Sequence, residues 1–249
     1  MKIWKIIILL SFIPGLIFFP EPGRISLNQS DCNVSFSHFF GCDSLGRDVY
    51  SMYSYGILLN FFIAIPARIL SLALSLAVLS FRFSGIRTVK MLTDSFASVF
   101  LSVPSILVGL LIAVSFGKSL PVFLFALAAS DWALSYETLS GKLRETENGG
   151  FITVSFLFGA DRFYVFRKHL LPVLLEYSKT LFVIGLPGVI MTASLFSYLG
   201  LDFGVSFFGP GLGEQISFSK DYFFRNPFST AVPVFGILFS ILLFRENHK

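Results

Sequence analysis

The sequence predicts an all-α membrane protein with six transmembrane helices and both termini in the cytoplasm. Three observations lead to this fold class. First, 54% of the 249 residues are hydrophobic. Second, only 14% are charged, whereas a soluble domain usually carries about 25%, so the chain has too little polar surface to stay in water as a monomer. Third, the apolar residues form runs of roughly 20, the length that a helix needs to cross a bilayer.

The first candidate span, at about 4–20, is the most ambiguous. It follows two lysines and contains a short apolar run, as a signal peptide does, but no small-x-small cleavage site follows, so we interpret it as a retained span. The other five lie at about 56–80, 95–116, 120–139, 179–199 and 228–244. Pro66 and Pro104 fall inside two of these spans, where bilayer helices tolerate proline if neighbours satisfy the freed carbonyls.

The positions of the lysines and arginines predict the orientation. With both termini inside, thirteen of them fall on the cytosolic side and five outside, which the positive-inside rule favours. The longest cytosolic loop is then about 140–178, and the outer loops are about 21–55 and 200–227. We divide the chain into residues 1–55, the first helix and its outer loop, and residues 56–249, a five-helix core.

The sequence lacks the motifs of an enzyme or a metal protein. "FGKSL" at 116–120 resembles the end of a phosphate-binding loop, but Ile112 stands where the full pattern needs glycine. The three histidines lie far apart, and no paired spacing indicates a metal site. The net charge of +4 is not a nucleic-acid signal in a chain of this class. Cys32 and Cys42 leave open a single disulfide if their segment lies outside the cytosol.

A compact basic segment, "GADRFYVFRKHLLP", interrupts the apolar chain at 159–172. Gly159 suits the left-handed end of one helix, and Asp161 suits the N-cap of the next. Phe163, Phe166 and Leu170 follow at helical spacing, so we expect them to share one face, and we expect Pro172 to mark a bend. This helix either lies in the lipid headgroups or fills a groove on a cytosolic partner.

Charged residues inside the predicted spans are the remaining unusual feature. Arg68 lies within the second span, and Asp131 and Glu137 lie within the fourth. Because such residues are costly in lipid, they usually face protein or water. The two acids are therefore candidates for lining a translocation path, although the position of Glu137 also fits the cytosolic interface.

Segment 159–172 resembles the cytosolic loop of ATP-binding-cassette importer permeases. That loop reads Glu-Ala-Ala, three residues, Gly, and about ten residues later Leu-Pro. Gly159 matches the glycine, and Leu171 and Pro172 match the end. The Glu-Ala-Ala positions hold Thr153, Val154 and Ser155 instead, which is a clear departure.

Other segments are similar to the dipeptide, oligopeptide and nickel permeases of this family, specifically to the second, C-type subunit. "HFFGCDSLGRD" at 38–48 resembles their His-x-x-Gly-Thr-Asp-x-x-Gly-Arg-Asp motif, and the matching residues are His38, Gly41, Asp43, Leu45, Gly46, Arg47 and Asp48. "SYLGL" at 197–201 and "DYFFRNP" at 221–227 resemble two further family blocks. For the outer motif, direct contact with the pore mouth or binding protein competes with a self-satisfied turn in which Arg47 pairs with a nearby carboxylate.

The resemblance implies a type I importer permease fold and a role in transport rather than catalysis. Such a subunit lies in the bacterial cytoplasmic membrane as a multi-pass protein. It forms half of the translocation pathway with a second permease, expected to be a different chain. Two cytosolic ATPases bind the ATP, so no cofactor is expected here, and an extracytoplasmic binding protein delivers a peptide or a related small solute such as nickel.

The coupling segment implied by the resemblance is about 153–172. Its candidate residues for contact with the ATPase are Thr153, Val154, Ser155, Gly159, Ala160, Asp161, Phe163, Phe166, Leu171 and Pro172. Thr153 keeps a hydroxyl where the family has an acid, so a degenerate or scaffold subunit without efficient transport is one alternative. An ion-coupled secondary carrier is another, but it predicts repeated halves with broken helices, and no internal repeat is evident.

Overall fold

The computed structural model describes residues 3–18, 22–83, 86–201 and 205–244. Within them, regular structure is helical apart from one isolated bridge between Cys42 and Asp48, which agrees with the all-α prediction. Several one-turn 3₁₀ segments join the α-helices. The α-helices are α1 (Ile3–Phe18), α2 (Val49–Arg82), α3 (Arg87–Ser102), α4 (Ser105–Phe116), α5 (Leu120–Glu147), α6 (Gly150–Leu157), α7 (Arg162–Val165), α8 (Leu171–Tyr198), α9 (Leu212–Ser219) and α10 (Pro227–Phe244).

Three helices are long and apolar enough to cross a bilayer by length and composition: α2, the helix Arg162–Tyr198 and α10. The bent pair of α3 and α4 brings the number to four if it counts as one span. In the described part of the chain α1 has 16 residues, and the 28-residue α5 is long enough but not apolar enough. The predicted count of six spans therefore stays a prediction.

The predicted span at 95–116 is not one continuous helix, and whether the segment crosses the membrane stays a prediction. Helix α3 ends at Ser102, α4 begins at Ser105, and the two axes differ by 91°. Val103 adopts an extended conformation, with φ −99° and ψ 137°, because the ring of Pro104 disfavours the helical conformation of the preceding residue. Pro66, by contrast, stays inside the uninterrupted α2.

The predicted cytosolic loop at 140–178 is largely helical, and the helix is not interrupted at Pro172, where the sequence predicted a bend. Helix α5 continues to Glu147, and one helix runs without interruption from Arg162 to Tyr198 through Pro172. It comprises α7, a π-helical turn over Phe166–Leu170, and α8. A π turn allows backbone N–H groups to reach one residue farther back, a local adjustment of the kind that accommodates proline in a long helix.

The chain forms two compact units that do not follow its linear order. One comprises Met1–Ile65, Phe116–Phe123 and Leu186–Lys249; the other comprises Pro66–Ser115 and Leu124–Gly185. We call them the outer-motif unit and the coupling unit, after the segments each contains. Because they interleave along the chain, they do not test the predicted division after residue 55.

The core of the outer-motif unit joins α1, α2, α9 and α10. Phe12, Tyr53, Ile57, Leu212 and Val232 are buried together in it. The buried side-chain amide of Gln215 in α9 donates to the carbonyls of Met52, at 2.7 Å, and Pro210, at 2.8 Å, which ties α9 to the first turn of α2.

The core of the coupling unit packs α5 against α2, α3, α6 and the start of the helix Arg162–Tyr198. Trp132 of α5 is buried between Phe96 and Phe100 of α3, with ring centroids 5.5 and 5.1 Å away. Ile152 of α6 and Leu170 of the π turn are buried in the same cluster. The coupling segment is therefore attached to a packed core rather than suspended as a loose loop.

Candidate functional site

The turn between α6 and α7 begins with a tight helix end. Gly159 has a φ of +81°, in the left-handed region where a side chain would introduce strain. Its N–H donates to the Phe156 carbonyl at 2.9 Å, and the Ala160 N–H donates to the Ser155 carbonyl at 3.0 Å. These two bonds form a Schellman motif, which satisfies carbonyls that the helix end would leave unpaired. The predicted role of Gly159 in ending a helix is confirmed.

The next helix begins at once with a side-chain cap. The Asp161 carboxylate accepts the Phe163 N–H at 3.1 Å, so its predicted N-cap role is confirmed. Farther along the same helix, the Leu171 N–H donates to the Phe166 carbonyl, which closes the π turn. Two caps therefore lie within three residues, one ending α6 and the other beginning α7.

The predicted common face of Phe163, Phe166 and Leu170 is wrong. Phe166 and Leu170 are 8% and 1% exposed, and the Phe166 ring stacks on Phe83 with centroids 5.2 Å apart. Phe163 is 68% exposed. The buried face passes through Val165 instead. Phe163 lies two positions before Val165, and residues two positions apart lie on nearly opposite sides of a helix.

The exposed apolar surface lies around the cap instead. Leu157 is 80% exposed and Phe158 is 88% exposed, and Tyr164 and Phe163 add two exposed rings. We call these four residues the apolar tip. Sequence reasoning missed Leu157 and Phe158, although two apolar residues directly before a helix-ending glycine were a usable signal.

The other predicted coupling residues lie on the same short segment. Thr153, Val154 and Asp161 are exposed, and Ser155 and Ala160 are partly buried. The Ser155 hydroxyl donates to the Phe151 carbonyl at 2.8 Å. Leu171 is partly buried, and Pro172 is exposed. Their contact with an ATPase stays a prediction.

The outer motif is a self-bonded turn around Asp43. Its carboxylate accepts the backbone N–H of Leu45 at 3.0 Å and that of Arg47 at 2.8 Å. The buried Arg47 guanidinium also binds it, with Nε–Oδ2 and Nη2–Oδ2 distances of 2.7 Å. The geometry is that of the self-satisfied turn.

A second carboxylate joins this turn to α2. Asp48 accepts the Ser51 N–H at 2.7 Å, and its other oxygen lies 2.7 Å from Nδ1 of His38. Gly41 and Gly46 both have a φ of +73°, which explains glycine at these two positions of the motif. The motif therefore forms a loop held by its own hydrogen bonds, and its outer location and its contact with other proteins stay predictions.

The structure joins Cys32 and Cys42 by a disulfide, which answers the question that the sequence left open. Their sulfurs and a ring nitrogen of His38 lie within 4.8 Å of one another. Metal ligation needs thiolates, and sulfurs bonded to each other supply none. This cluster is therefore a covalent link between Cys32 and Cys42 rather than a cation site.

We expect the double replacement Cys32→Ser/Cys42→Ser to lower the free energy of unfolding of the outer-motif unit by about 2–3 kcal/mol, because the link closes a short loop. The measurement is thermal unfolding in detergent with and without reductant. Reductant should lower the melting temperature of the parent protein and leave the double variant unchanged. Equal melting temperatures for the parent protein and the double variant without reductant would contradict the expectation.

A buried ion pair links three helices in the coupling unit. Nη1 of Arg68 in α2 contacts the Asp131 carboxylate of α5 and donates to the Ser135 hydroxyl at 2.8 Å. Nη2 of Arg68 donates to the Leu181 carbonyl of α8 at 2.6 Å. The Ser71 hydroxyl donates to Asp131 at 2.6 Å. The sequence showed both charges inside spans but not that they pair with each other.

Glycine makes room for this ion pair. A Cβ atom added to Gly185 of α8 would lie 2.2 Å from Cζ of Arg68, so the guanidinium occupies the space of a missing side chain. Arg68 is buried, whereas Asp131 is partly exposed. Glu137, the other acid predicted in this span, is exposed. The observed role of Asp131 is therefore that of counter-charge to Arg68, and a role in lining a translocation path stays a prediction.

These features define an integral membrane protein whose helices hold a rigid, capped turn at one place and a cross-linked loop at another. The family described as "Binding-protein-dependent transport system inner membrane component" matches residues 69–245. The match covers most of the chain, and the protein belongs to this family.

Three curated relatives are transport permeases rather than enzymes. The dipeptide permease DppC of Bacillus subtilis is 28% identical over 181 residues, which are 72% of this chain and 56% of the relative. The oligopeptide permease OppC of the same organism is 28% identical over 202 residues, 79% of this chain and 66% of the relative. DppC of Alkalihalophilus pseudofirmus is 27% identical over 248 residues, 96% of this chain and 80% of the relative. The chain thus spans 56% and 66% of the first two relatives' lengths.

The fold is also similar to that of a chain in inward-facing structures of the MetNI methionine ABC transporter. The TM-score is 0.58 at 17% identity, with 79% of this chain and 90% of that chain covered. At this identity the similarity concerns the fold alone. The resemblance noted from the sequence, to C-type peptide permeases of ATP-binding-cassette importers, is confirmed by the family and the relatives.

Proposed function

We propose that the chain is a permease subunit of an ATP-binding-cassette importer for peptides in the bacterial cytoplasmic membrane. It contributes half of the translocation pathway and pairs with a second permease chain. The apolar tip carries this proposal, because it exposes three aromatic rings and one aliphatic side chain on a turn that is capped at both ends. A rigid apolar projection of this kind suits insertion into a groove of a partner protein.

The cargo and the other partners follow from the relatives. Dipeptide and oligopeptide permeases are the relatives of this chain, so a peptide is the proposed cargo, and nickel has no support from their names. Two cytosolic ATPases would bind the ATP, and an extracytoplasmic binding protein would deliver the peptide. If the chain has the proposed six spans with both termini in the cytoplasm, the apolar tip would lie on the side of the ATPases.

The mechanism uses the continuity of the helix Arg162–Tyr198. Asp161 caps its first residue, and Phe166 and Leu170 anchor its next turn in the core of the coupling unit. When ATP closes the ATPases, a docked apolar tip would move with them, and the helix would transmit that displacement as a rigid element. Thr153, in the place of the usual acid, is exposed and leaves this anchoring intact.

The proposal predicts that Leu157→Asp/Phe158→Asp abolishes assembly with the ATPases. Both side chains are exposed, so the fold should persist, whereas loss of a central interface anchor costs about 2 kcal/mol or more, a reduction of at least about tenfold in affinity. The measurements are recovery of the ATPases with the tagged permease from co-expressing cells and ATP-dependent peptide uptake.

Phe224→Asp is the matched control, because Phe224 is 98% exposed and lies in the predicted outer loop. It should leave both measurements unchanged. If the unchanged permease recovers no ATPase, the chain is a scaffold subunit and the proposal fails. If the tip variant keeps full recovery and uptake, the assignment of the tip fails.

A further inference from the structure

A cavity of about 230 Å³ lies in the coupling unit, where the end of α2, the start of α3, the end of α5 and the first residue of α7 meet. Four cationic side chains line it: Arg82, Arg87, Lys90 and Arg162. They come from three helices, so only the folded unit brings them together. None of the roles described so far uses this cavity.

The charges in the cavity are unevenly compensated. Arg82 is buried and already engaged, with Nε 3.0 Å from Asp94 and Nη1 donating to Ser140 at 2.8 Å. Glu147 is the one acid among the lining residues. Arg87, Lys90 and Arg162 are exposed and make no ion pair with a carboxylate in the part of the chain that the structure describes. The cavity therefore holds an excess of positive charge.

The surroundings of the cavity indicate a membrane lipid rather than a soluble anion. Phe83 and Ile86 form an apolar part of its wall. Helix α3, which begins with Arg87 and contains Lys90, exposes the apolar side chains Met91, Leu92, Phe96 and Val99. A helix with basic residues and an exposed apolar surface lies at the boundary of headgroups and acyl chains in a membrane protein. Its basic end then meets lipid phosphates, and its apolar residues meet the chains.

We propose that this cavity binds the phosphate group of an anionic membrane lipid through Arg87, Lys90 and Arg162. Arginine forms charge-assisted, bidentate hydrogen bonds with phosphate, and lysine adds a point charge. Basic pockets between membrane helices bind anionic headgroups in this way. Because Arg162 directly follows the capping residue Asp161, a bound phosphate would connect α3 to the start of the helix Arg162–Tyr198.

The test measures lipid binding to the purified full chain in detergent. The ligands are dihexanoyl phosphatidylglycerol, dihexanoyl phosphatidylcholine and inorganic phosphate. We expect phosphatidylglycerol to bind at least about tenfold more tightly than phosphatidylcholine. The variant Arg87→Gln/Lys90→Gln/Arg162→Gln should bind phosphatidylglycerol at least about tenfold more weakly, since all three cations that face the phosphate are removed.

Arg167→Gln/Lys168→Gln is the matched control, because these exposed cations follow Arg162 on the same helix but do not line the cavity. It should bind phosphatidylglycerol as the unchanged protein does. Unchanged thermal unfolding of the triple site variant without lipid would show that its fold persists. If the triple variant unfolds, the single variant Lys90→Gln replaces it, and we expect its affinity for phosphatidylglycerol to be several-fold weaker.

Three results would overturn the proposal. The first is equal affinity for the two lipids, or an equal loss of phosphatidylglycerol affinity in the triple variant and in the control Arg167→Gln/Lys168→Gln. The second is tight binding of inorganic phosphate without binding of phosphatidylglycerol, which would make a free anion the ligand. The third is a site variant that binds phosphatidylglycerol normally but no longer assembles with the ATPases, which would make the cavity a protein-binding surface.

Discussion

Asp131→Ala is expected to lower the free energy of unfolding of the coupling unit by about 3 kcal/mol, because it leaves the Arg68 guanidinium buried without its counter-charge. The Ser71 hydroxyl loses its acceptor in the same replacement. The guanidinium is packed directly against Gly185, in the space that a side chain at that position would occupy. The measurement is thermal or denaturant unfolding of the purified protein in detergent.

Two further proteins make this prediction specific. Glu137→Ala removes an exposed carboxylate from the same helix and should change stability by less than about 0.5 kcal/mol. The double variant Arg68→Met/Asp131→Leu removes both charges and should recover most of the loss, because a well-packed apolar pair often replaces a buried ion pair without cost. If the double variant is no more stable than Asp131→Ala, the ion pair is not the cause.

Gly213→Ala should destabilise the outer-motif unit at the upper end of the roughly 1–3 kcal/mol that overpacking costs. An added Cβ would lie 1.8 Å from the Ser194 carbonyl oxygen and 2.7 Å from the Tyr198 backbone nitrogen. Both contacts are with backbone, so no change of rotamer relieves them, and α9 must move away from α8. The measurement is the melting temperature of the purified protein.

Gly188→Ala is the control for this replacement, since Gly188 lies in α8 and its added Cβ would meet nothing within 4 Å. It should leave stability unchanged or raise it slightly, because alanine favours a helix more than glycine does by about 1 kcal/mol. A loss of stability in Gly188→Ala equal to that in Gly213→Ala would show that the close approach of α9 to α8 is not responsible.

Features that depend on residues close together in the chain could be predicted from the sequence. Gly159 ends α6 and Asp161 caps the next helix as expected, because each uses hydrogen bonds to backbone within five residues. The outer motif likewise bonds mainly to itself, around Asp43 and Asp48. The membrane class and the family also followed, from composition and from the order of short motifs.

The predictions that were wrong concern where a helix is interrupted and which side of a helix is buried. Pro104 was expected to remain inside a span, but α3 ends two residues before it. Whether a membrane helix bends or breaks at proline depends on what satisfies the freed carbonyls, and the sequence near the proline does not contain that information. Phe163 was placed with Phe166 on spacing alone, whereas the position of the core selects Val165.

The sequence by itself determined that this chain is a membrane permease of the binding-protein-dependent transport family, with a capped turn at 159–161. Only the tertiary structure decided that Arg68 pairs with Asp131, 63 residues away, and that Gly185 leaves space for the pair. It also decided that four cations from three helices share one cavity. The reason is physical: a cap acts over one helical turn, whereas a charge finds its partner only after packing has brought distant segments within a few ångströms.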